Sequence, residues 1–215
     1  MARLLVFDLD GTLVDSSRDI AAATNAAIRR VAPGTGEIPL QVILSFVGVG
    51  ARVLVERGLR HAGLGLSPDE VLPVYIECYA ERLLDTTRLY PGVAEALDAL
   101  EGPALAVLTN KPGDLSRRIL EGLGVARRFA RVLGAGDVPS RKPNPGGLFH
   151  LMAEVEAAPG ETWMVGDSAT DVAVARAARV RVAGVTWGFH PAALRAAGPD
   201  RLIDRPLDLA SLLAG

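Results

Sequence analysis

Leu4-Leu5-Val6-Phe7-Asp8-Leu9-Asp10-Gly11-Thr12-Leu13-Val14-Asp15 is the stretch on which the fold turns, because an apolar run ends abruptly in two carboxylates two residues apart. A short apolar run closed by a turn residue reads as a buried parallel strand, and the Asp10-Gly11 step ends it. Ligands of open α/β sheets bind beyond the carboxyl ends of the strands, which puts Asp8 and Asp10 at the mouth of a site. The same residues also read as a plain β-hairpin, since Asp-Gly between apolar residues is a strong turn signal. Both readings stand on this stretch alone.

Working outward, short apolar runs at 104–108, 131–133, 162–165, 181–185 and 201–203 predict strands. The Ala-rich segments between them, 113–123, 145–157, 169–178 and 191–197, carry apolar residues at helical spacing. This alternation predicts a parallel sheet covered by helices on both faces. Residues 16–84 differ: they hold helical patterns at 18–31, 40–46, 51–62 and 68–84, and no strand. A helical block of roughly 70 residues between the first two strands predicts a separate small domain, linked near Asp15 and near residues 85–91. There is no internal repeat and no low-complexity tract.

Composition narrows the function. At 215 residues and 49% hydrophobic the chain can bury a full core. A net charge of −2 with scattered arginines argues against a nucleic-acid surface and for a small-molecule partner. The single cysteine, Cys78, excludes a disulfide within the chain and a thiolate metal cluster, and is expected as a packed thiol. The few residues before Asp8 are too short for a signal sequence, and no apolar run spans a membrane. A cytoplasmic protein is expected. His61, His150 and His190 are too scattered to form a metal set, and Trp163 sits in an apolar strand as a core residue.

Four segments fall where the α/β reading puts strand ends: Asp8 and Asp10; Thr109-Asn110-Lys111; Lys142-Pro143; and Gly166-Asp167-Ser168-Ala169-Thr170-Asp171. Their chemistry is mutually consistent, with carboxylates for a hard cation such as Mg²⁺, hydroxyl and amide donors for an anion, and an ammonium. A carboxylate attacking a phosphate dianion meets like charges costing about 4 kcal/mol per pair at 4 Å and an effective dielectric of 20, which a metal ion and a lysine offset. Asp8 is the expected nucleophile, since a carboxylate needs no base at pH 7. Asp10 is the expected general acid and base. Thr109 and Asn110 are expected to donate to the phosphoryl oxygens, Lys142 to neutralise charge there, and Asp167 to hold the metal. Two segments have plainer readings: Ser168-x-x-Asp171 fits a helix N-terminal box, and Thr109-Asn110 with Pro112 fits a helix start. Of the 23 basic residues only Lys111 and Lys142 are lysine. A compact ammonium fits between carboxylate and phosphate where a planar guanidinium has a different geometry.

Together these segments resemble the haloacid dehalogenase superfamily, whose motifs run in this order: Asp-x-Asp-x-Thr, a Thr/Ser strand end, a Lys, and a Gly-Asp-x-x-x-Asp acid pair. The resemblance spans nearly the whole chain. It implies an α/β, Rossmann-like parallel-sheet core of residues 1–14 and 86–215 with an inserted helical cap of residues 15–85. Asp10 in the second acid position points to the phosphatase branch. More narrowly, Phe46-Val47-Gly48-Val49-Gly50-Ala51, Tyr90-Pro91-Gly92-Val93, Leu108-Thr109-Asn110-Lys111-Pro112 and Arg141-Lys142-Pro143-x-Pro145 resemble the bacterial phosphoglycolate phosphatases. The resemblance implies Asp8 as nucleophile and magnesium ligand, Asp10 as acid/base with its backbone carbonyl on the metal, and Asp167 as a further ligand. It puts Lys142 and Thr109 at the phosphate and Asp171 as an accessory acid near the metal. Val49, Trp187 and Phe189 depart from residues common in the family, and bear on the leaving group rather than on the phosphoryl chemistry.

The expected activity is therefore Mg²⁺-dependent hydrolysis of a small phosphorylated metabolite, 2-phosphoglycolate first, by a monomer or homodimer without nucleic acid or membrane. A sugar phosphatase, a pyrophosphatase and a phosphoglucomutase-type enzyme use the same site, and a non-catalytic binding module is the reading from another class. A phosphonate hydrolase is disfavoured, because that branch needs a cap lysine and residues 15–90 have none. Arg52, just after the Gly48-x-Gly50 turn, is the expected cap cation for a substrate carboxylate.

Overall fold

The computed structural model describes residues 2–214. Its elements begin with β1 (Leu4–Phe7), β2 (Val14–Asp15), α1 (Ser17–Val31), α2 (Leu40–Leu44), α3 (Ala51–His61), α4 (Pro68–Ala80) and β3 (Arg88–Leu89). They continue with α5 (Val93–Ala99), β4 (Ala104–Pro112), α6 (Gly113–Gly122), β5 (Arg131–Ala135), α7 (Gly146–Glu154) and β6 (Thr162–Gly166). The chain closes with α8 (Ala169–Ala178), β7 (Arg181–Val185), α9 (Pro191–Ala197), β8 (Arg201–Ile203) and a 3-10 segment, Pro206–Ala214. It divides into two compact units, Met1–Asp15 with Leu89–Gly215, and Ser16–Arg88.

The first unit is built on a six-stranded sheet in the order β5-β4-β1-β6-β7-β8. Every pairing within it is parallel. All four residues of β1 are fully buried, as a central parallel strand requires. Side chains alternate between faces: Leu4 and Val6 join Leu148, Leu151, Val172 and Leu194 from α7, α8 and α9 in one core. Phe7 points to the other face, where its ring meets Phe129 edge-on at 6.2 Å. The order matters for function, because β1 is flanked by β4 on one side and β6 on the other, so the chain switches direction across the sheet at β1. The crevice of such a fold lies at the carboxyl end of that strand.

The hairpin reading of Asp10-Gly11 gives way to a sharper arrangement. The chain does turn, with the Leu9 carbonyl accepting from the Leu13 and Val14 amides at 2.9 and 3.1 Å. But β2 pairs with β3, and β1 pairs only in parallel, with β4 and β6. β4 also outruns its expected end at residue 108. Its pairing with β5 shifts register after Leu108 and resumes at Pro112 opposite Ala135, so Thr109, Asn110 and Lys111 lie in a strand, and α6 starts only at Gly113. Gly134 makes room for this: a Cβ there would collide with the backbone of Lys111 and Gly113. β2 and β3, two residues each, are too short for periodicity to register, and α5 was not expected either.

The second unit is helical. α1 buries Ile20, Ala23, Thr24, Ala27 and Ile28, the i, i+3, i+4, i+7, i+8 stripe of an amphipathic helix. Gly58 of α3 lets that helix approach, since a Cβ there would stand 3.3 Å from Ile28 Cδ1. α4 begins with Ser67 accepting from the Asp69 amide and Pro68 in its first turn, and buries Val71, Tyr75, Cys78 and Tyr79. Asp19, in the first turn of α1, accepts hydrogen bonds from the backbone and hydroxyl of both Thr86 and Thr87. This tie explains why the unit runs on to Arg88 rather than ending with its helical patterns. Among the described residues, no helix is long and apolar enough to cross a membrane.

Candidate active site

The carboxyl ends of β1, β4 and β6 deliver three of the four expected segments, and the loop between β5 and α7 delivers Lys142. Asp8 follows β1 directly, its backbone still paired to β6 through a 2.9 Å bond to the Val165 carbonyl. Its carboxylate accepts from the Leu9 amide at 2.7 Å and contacts the Lys142 ammonium at 2.9 Å. The same ammonium lies 2.6 Å from Asp171 Oδ1, so one buried lysine bridges two carboxylates. Asn110 fixes that lysine's backbone: its amide nitrogen donates to the Lys142 carbonyl at 3.0 Å, and its oxygen accepts from the Lys142 amide at 2.9 Å. Asn110 therefore has a positioning task that its residue type alone did not suggest.

Asp167 follows β6 and is held by a backbone donor, the Phe189 amide, at 2.7 Å. The loop carrying that amide packs tightly, since a Cβ on Gly188 would collide with Asp167 and with the Gly11 carbonyl. Trp187 anchors the same loop by donating its indole N–H to the Thr12 carbonyl at 3.1 Å. Asp171, in the first turn of α8, fulfils the plainer of its two readings as well as sitting in the site. Its Oδ2 accepts from the Ser168 amide and hydroxyl at 3.1 and 2.6 Å, while Oδ1 takes Lys142. Both oxygens of Asp171 thus carry strong local bonds.

Asp8, Asp167 and Asp171 form a buried group whose ligand atoms all lie within 4.8 Å of one another. Burial pushes the Asp8 carboxyl up to about 6, with Lys142 pulling it back and the Asp171 charge adding to the rise. Burial, then the charges of Asp171 and Asp8, hold Asp167 well above the usual carboxylate range. Lys142 is raised: burial disfavours its charge, but Asp171 and Asp8 more than restore it. Three crowded oxygen donors set against one ammonium fit a hard divalent cation, which prefers such ligands and supplies the missing positive charge.

Asp10 stands outside that group. Its two carboxylate oxygens each lie 2.9 Å from the Lys111 ammonium, in a pair whose side chains are 12% and 5% exposed. The Thr109 hydroxyl accepts from the Lys111 amide at 3.3 Å, which leaves its proton to donate. Lys111 was not among the expected site residues. The available signal was the lysine economy of the chain, because both lysines among its 23 basic residues prove to be buried against carboxylates. The Phe189 amide had no side-chain signal at all. Arg52, on α3, is gripped by both Asp69 oxygens at 2.7 and 2.9 Å, which engages its two-pronged face.

Residues 5–185 match the family model of the haloacid dehalogenase-like hydrolases. The chain belongs to this family. A phosphoglycolate phosphatase of Haemophilus influenzae is 35% identical over 98% of this chain and 98% of its own length. Phosphoglycolate phosphatase 1 of Pseudomonas aeruginosa is 36% identical over 97% of this chain and 79% of its own length. Among solved structures, a protein of Haemophilus somnus described as a predicted phosphoglycolate phosphatase superposes with a TM-score of 0.92 at 32% identity, covering 99% of this chain and 98% of that one. As a haloacid dehalogenase-like hydrolase, the chain carries an aspartate at each acidic position of the family's first and last motifs: Asp8, Asp10, Asp167 and Asp171.

Proposed function

We propose that the chain is a magnesium-dependent phosphatase that converts 2-phosphoglycolate to glycolate and phosphate through a phosphorylated Asp8. The observation that carries this reading is the division of labour between two neighbouring carboxylates. Asp8 touches Lys142 within the metal-fit group, whereas Asp10 pairs with Lys111. Asp8 Oδ attacks phosphorus and the ester P–O bond breaks, while Asp10 gives its proton to the departing glycolate oxygen. Asp10 then takes a proton from water, which attacks the phosphorus of the acyl phosphate and frees Asp8 and phosphate. Lys142 and the Thr109 hydroxyl offset charge on the transferring phosphoryl oxygens. Magnesium held by Asp8, Asp167 and the Asp10 backbone carbonyl would supply further charge neutralisation; Asp171 serves by holding Lys142. Residues 16–88 are assigned as the family's cap, which chooses the substrate.

Full-length similarity to proteins named phosphoglycolate phosphatase supports the choice of leaving group. A panel of phosphate esters with and without magnesium tests it: 2-phosphoglycolate should give the highest kcat/KM, EDTA should abolish turnover, and Asp8→Asn should lose at least about a thousandfold. Equal turnover by the Asp8→Asn variant sinks the catalytic reading. A sugar phosphate preferred over phosphoglycolate sinks the substrate assignment alone.

A further inference from the structure

We propose that Lys111 is the specificity residue for the substrate's carboxylate, a part the sequence had given to Arg52. This rests on Asp10 being the acid that protonates the leaving oxygen. In 2-phosphoglycolate that oxygen and the carboxylate carbon are joined through one CH₂, so they stand about 2.4 Å apart by standard bond lengths. Whatever binds the carboxylate must lie beside Asp10. Lys111 does, with its ammonium 2.9 Å from each Asp10 oxygen. Lys142, the chain's other lysine, is committed to Asp8 and Asp171.

The element that presents Lys111 is built for it. The register shift after Leu108 re-aims the end of β4, and Gly134 admits its backbone. Within this irregular stretch Asn110 clamps the Lys142 backbone, the Thr109 hydroxyl accepts from the Lys111 amide, and Lys111 meets Asp10. The Lys111 side chain is only 5% exposed, so a carboxylate meeting it is drawn by a charge that water screens little. An ammonium can also turn its donors between the Asp10 carboxylate and a second carboxylate beside it, which a rigid guanidinium fork cannot do as readily.

The test compares 2-phosphoglycolate with ethyl phosphate, the ester with a methyl group in place of the carboxylate. Loss of Asp10's partner slows both substrates, so the ratio of their kcat/KM values is the quantity read. Lys111→Met should lower that ratio about 10- to 150-fold, the worth of a charge-assisted hydrogen bond, and Lys111→Arg should recover part of it. A second readout does not need turnover. With lysine labelled at Cε the protein gives two lysine side-chain signals, and Lys111→Arg assigns them. 3-Phosphonopropionate should move the Lys111 signal, and propylphosphonate should leave it in place. An unchanged ratio in Lys111→Met, with phosphoglycolate still the best parent substrate, overturns the inference and leaves the proposed function standing. So does an identical response to both phosphonates. A parent that hydrolyses ethyl phosphate as well as phosphoglycolate overturns both.

Discussion

Gly11 carries two constraints at once. Its φ of +82° lies in the left-handed region, and a Cβ there would collide with the Asp167 carboxylate. Gly11→Ala should therefore act at the site as well as on the backbone. It should lower kcat/KM about a hundredfold through misplacement of Asp167, and lower the thermal midpoint as well. Full activity with a lowered midpoint would show that Asp167 tolerates the shift. Lys142 poses the complementary case, because its removal strands two buried carboxylates. Lys142→Met should destabilise the fold by about 3–5 kcal/mol by chemical denaturation, as breaking one side of a buried ion pair does. Adding Asp171→Asn should recover part of that loss. How readable were these residues beforehand? Asp8, Asp10, Asp167 and Lys142 could be nominated because their chemistry lies in their side chains. Gly188 and the Phe189 amide could not, because what they contribute is backbone placed against Asp167.

At the scale of elements, the first turn of α1 holds the clearest stabilising device outside the site. Burial raises the Asp19 carboxyl, but the hydrogen bonds from Thr86 and Thr87 outweigh it and leave it below the usual range. A carboxylate lowered in the folded state stabilises above its unfolded value and loses that contribution as pH falls through the folded value. Asp19→Asn should therefore cost about 1–3 kcal/mol near pH 7, and the gap from the parent should close below about pH 4. Thermal melts at the two pH values check this, and a gap that persists in acid would assign the cost to packing instead. Long helices such as α1 and α8 were legible because each spans enough residues to show a period, and short strands such as β7 and β8 because each is an apolar run. The extension of β4 was not, since it depends on β5 resuming its pairing beyond a bulge and on a glycine in that partner.

For the whole molecule, the crowded carboxylates make stability depend on pH and metal together. Burial, opposed by Lys142 and aided by Asp171, sets Asp8 at about 6 against an ordinary 3.8. Asp167 is raised for the same main reason. A carboxylate raised in the folded state binds its proton more tightly folded than unfolded, so its contribution to stability declines as pH climbs from its ordinary value through about 6. Protein in EDTA should melt lower near pH 7.5 than near pH 5.5, with other groups adding a common background. Magnesium at a hundred times its pH 7.5 Kd should restore about 2.7 kcal/mol there, and the same concentration should restore less near pH 5.5, where protons compete for the carboxylates. A magnesium effect equal at both pH values would place the ion away from these carboxylates.

The sequence by itself determined the alternation that makes a parallel sheet, the helical insertion and the acids at strand ends, because periodicity and side-chain chemistry are local properties. Only the tertiary structure decided which cation meets which acid. Lys142 went to Asp8 and Asp171, Lys111 to Asp10, and Arg52 to Asp69. The Lys142–Asp8 and Lys111–Asp10 pairs join residues 134 and 101 positions apart, and they meet through strand order and a bulge, neither of which any one segment contains.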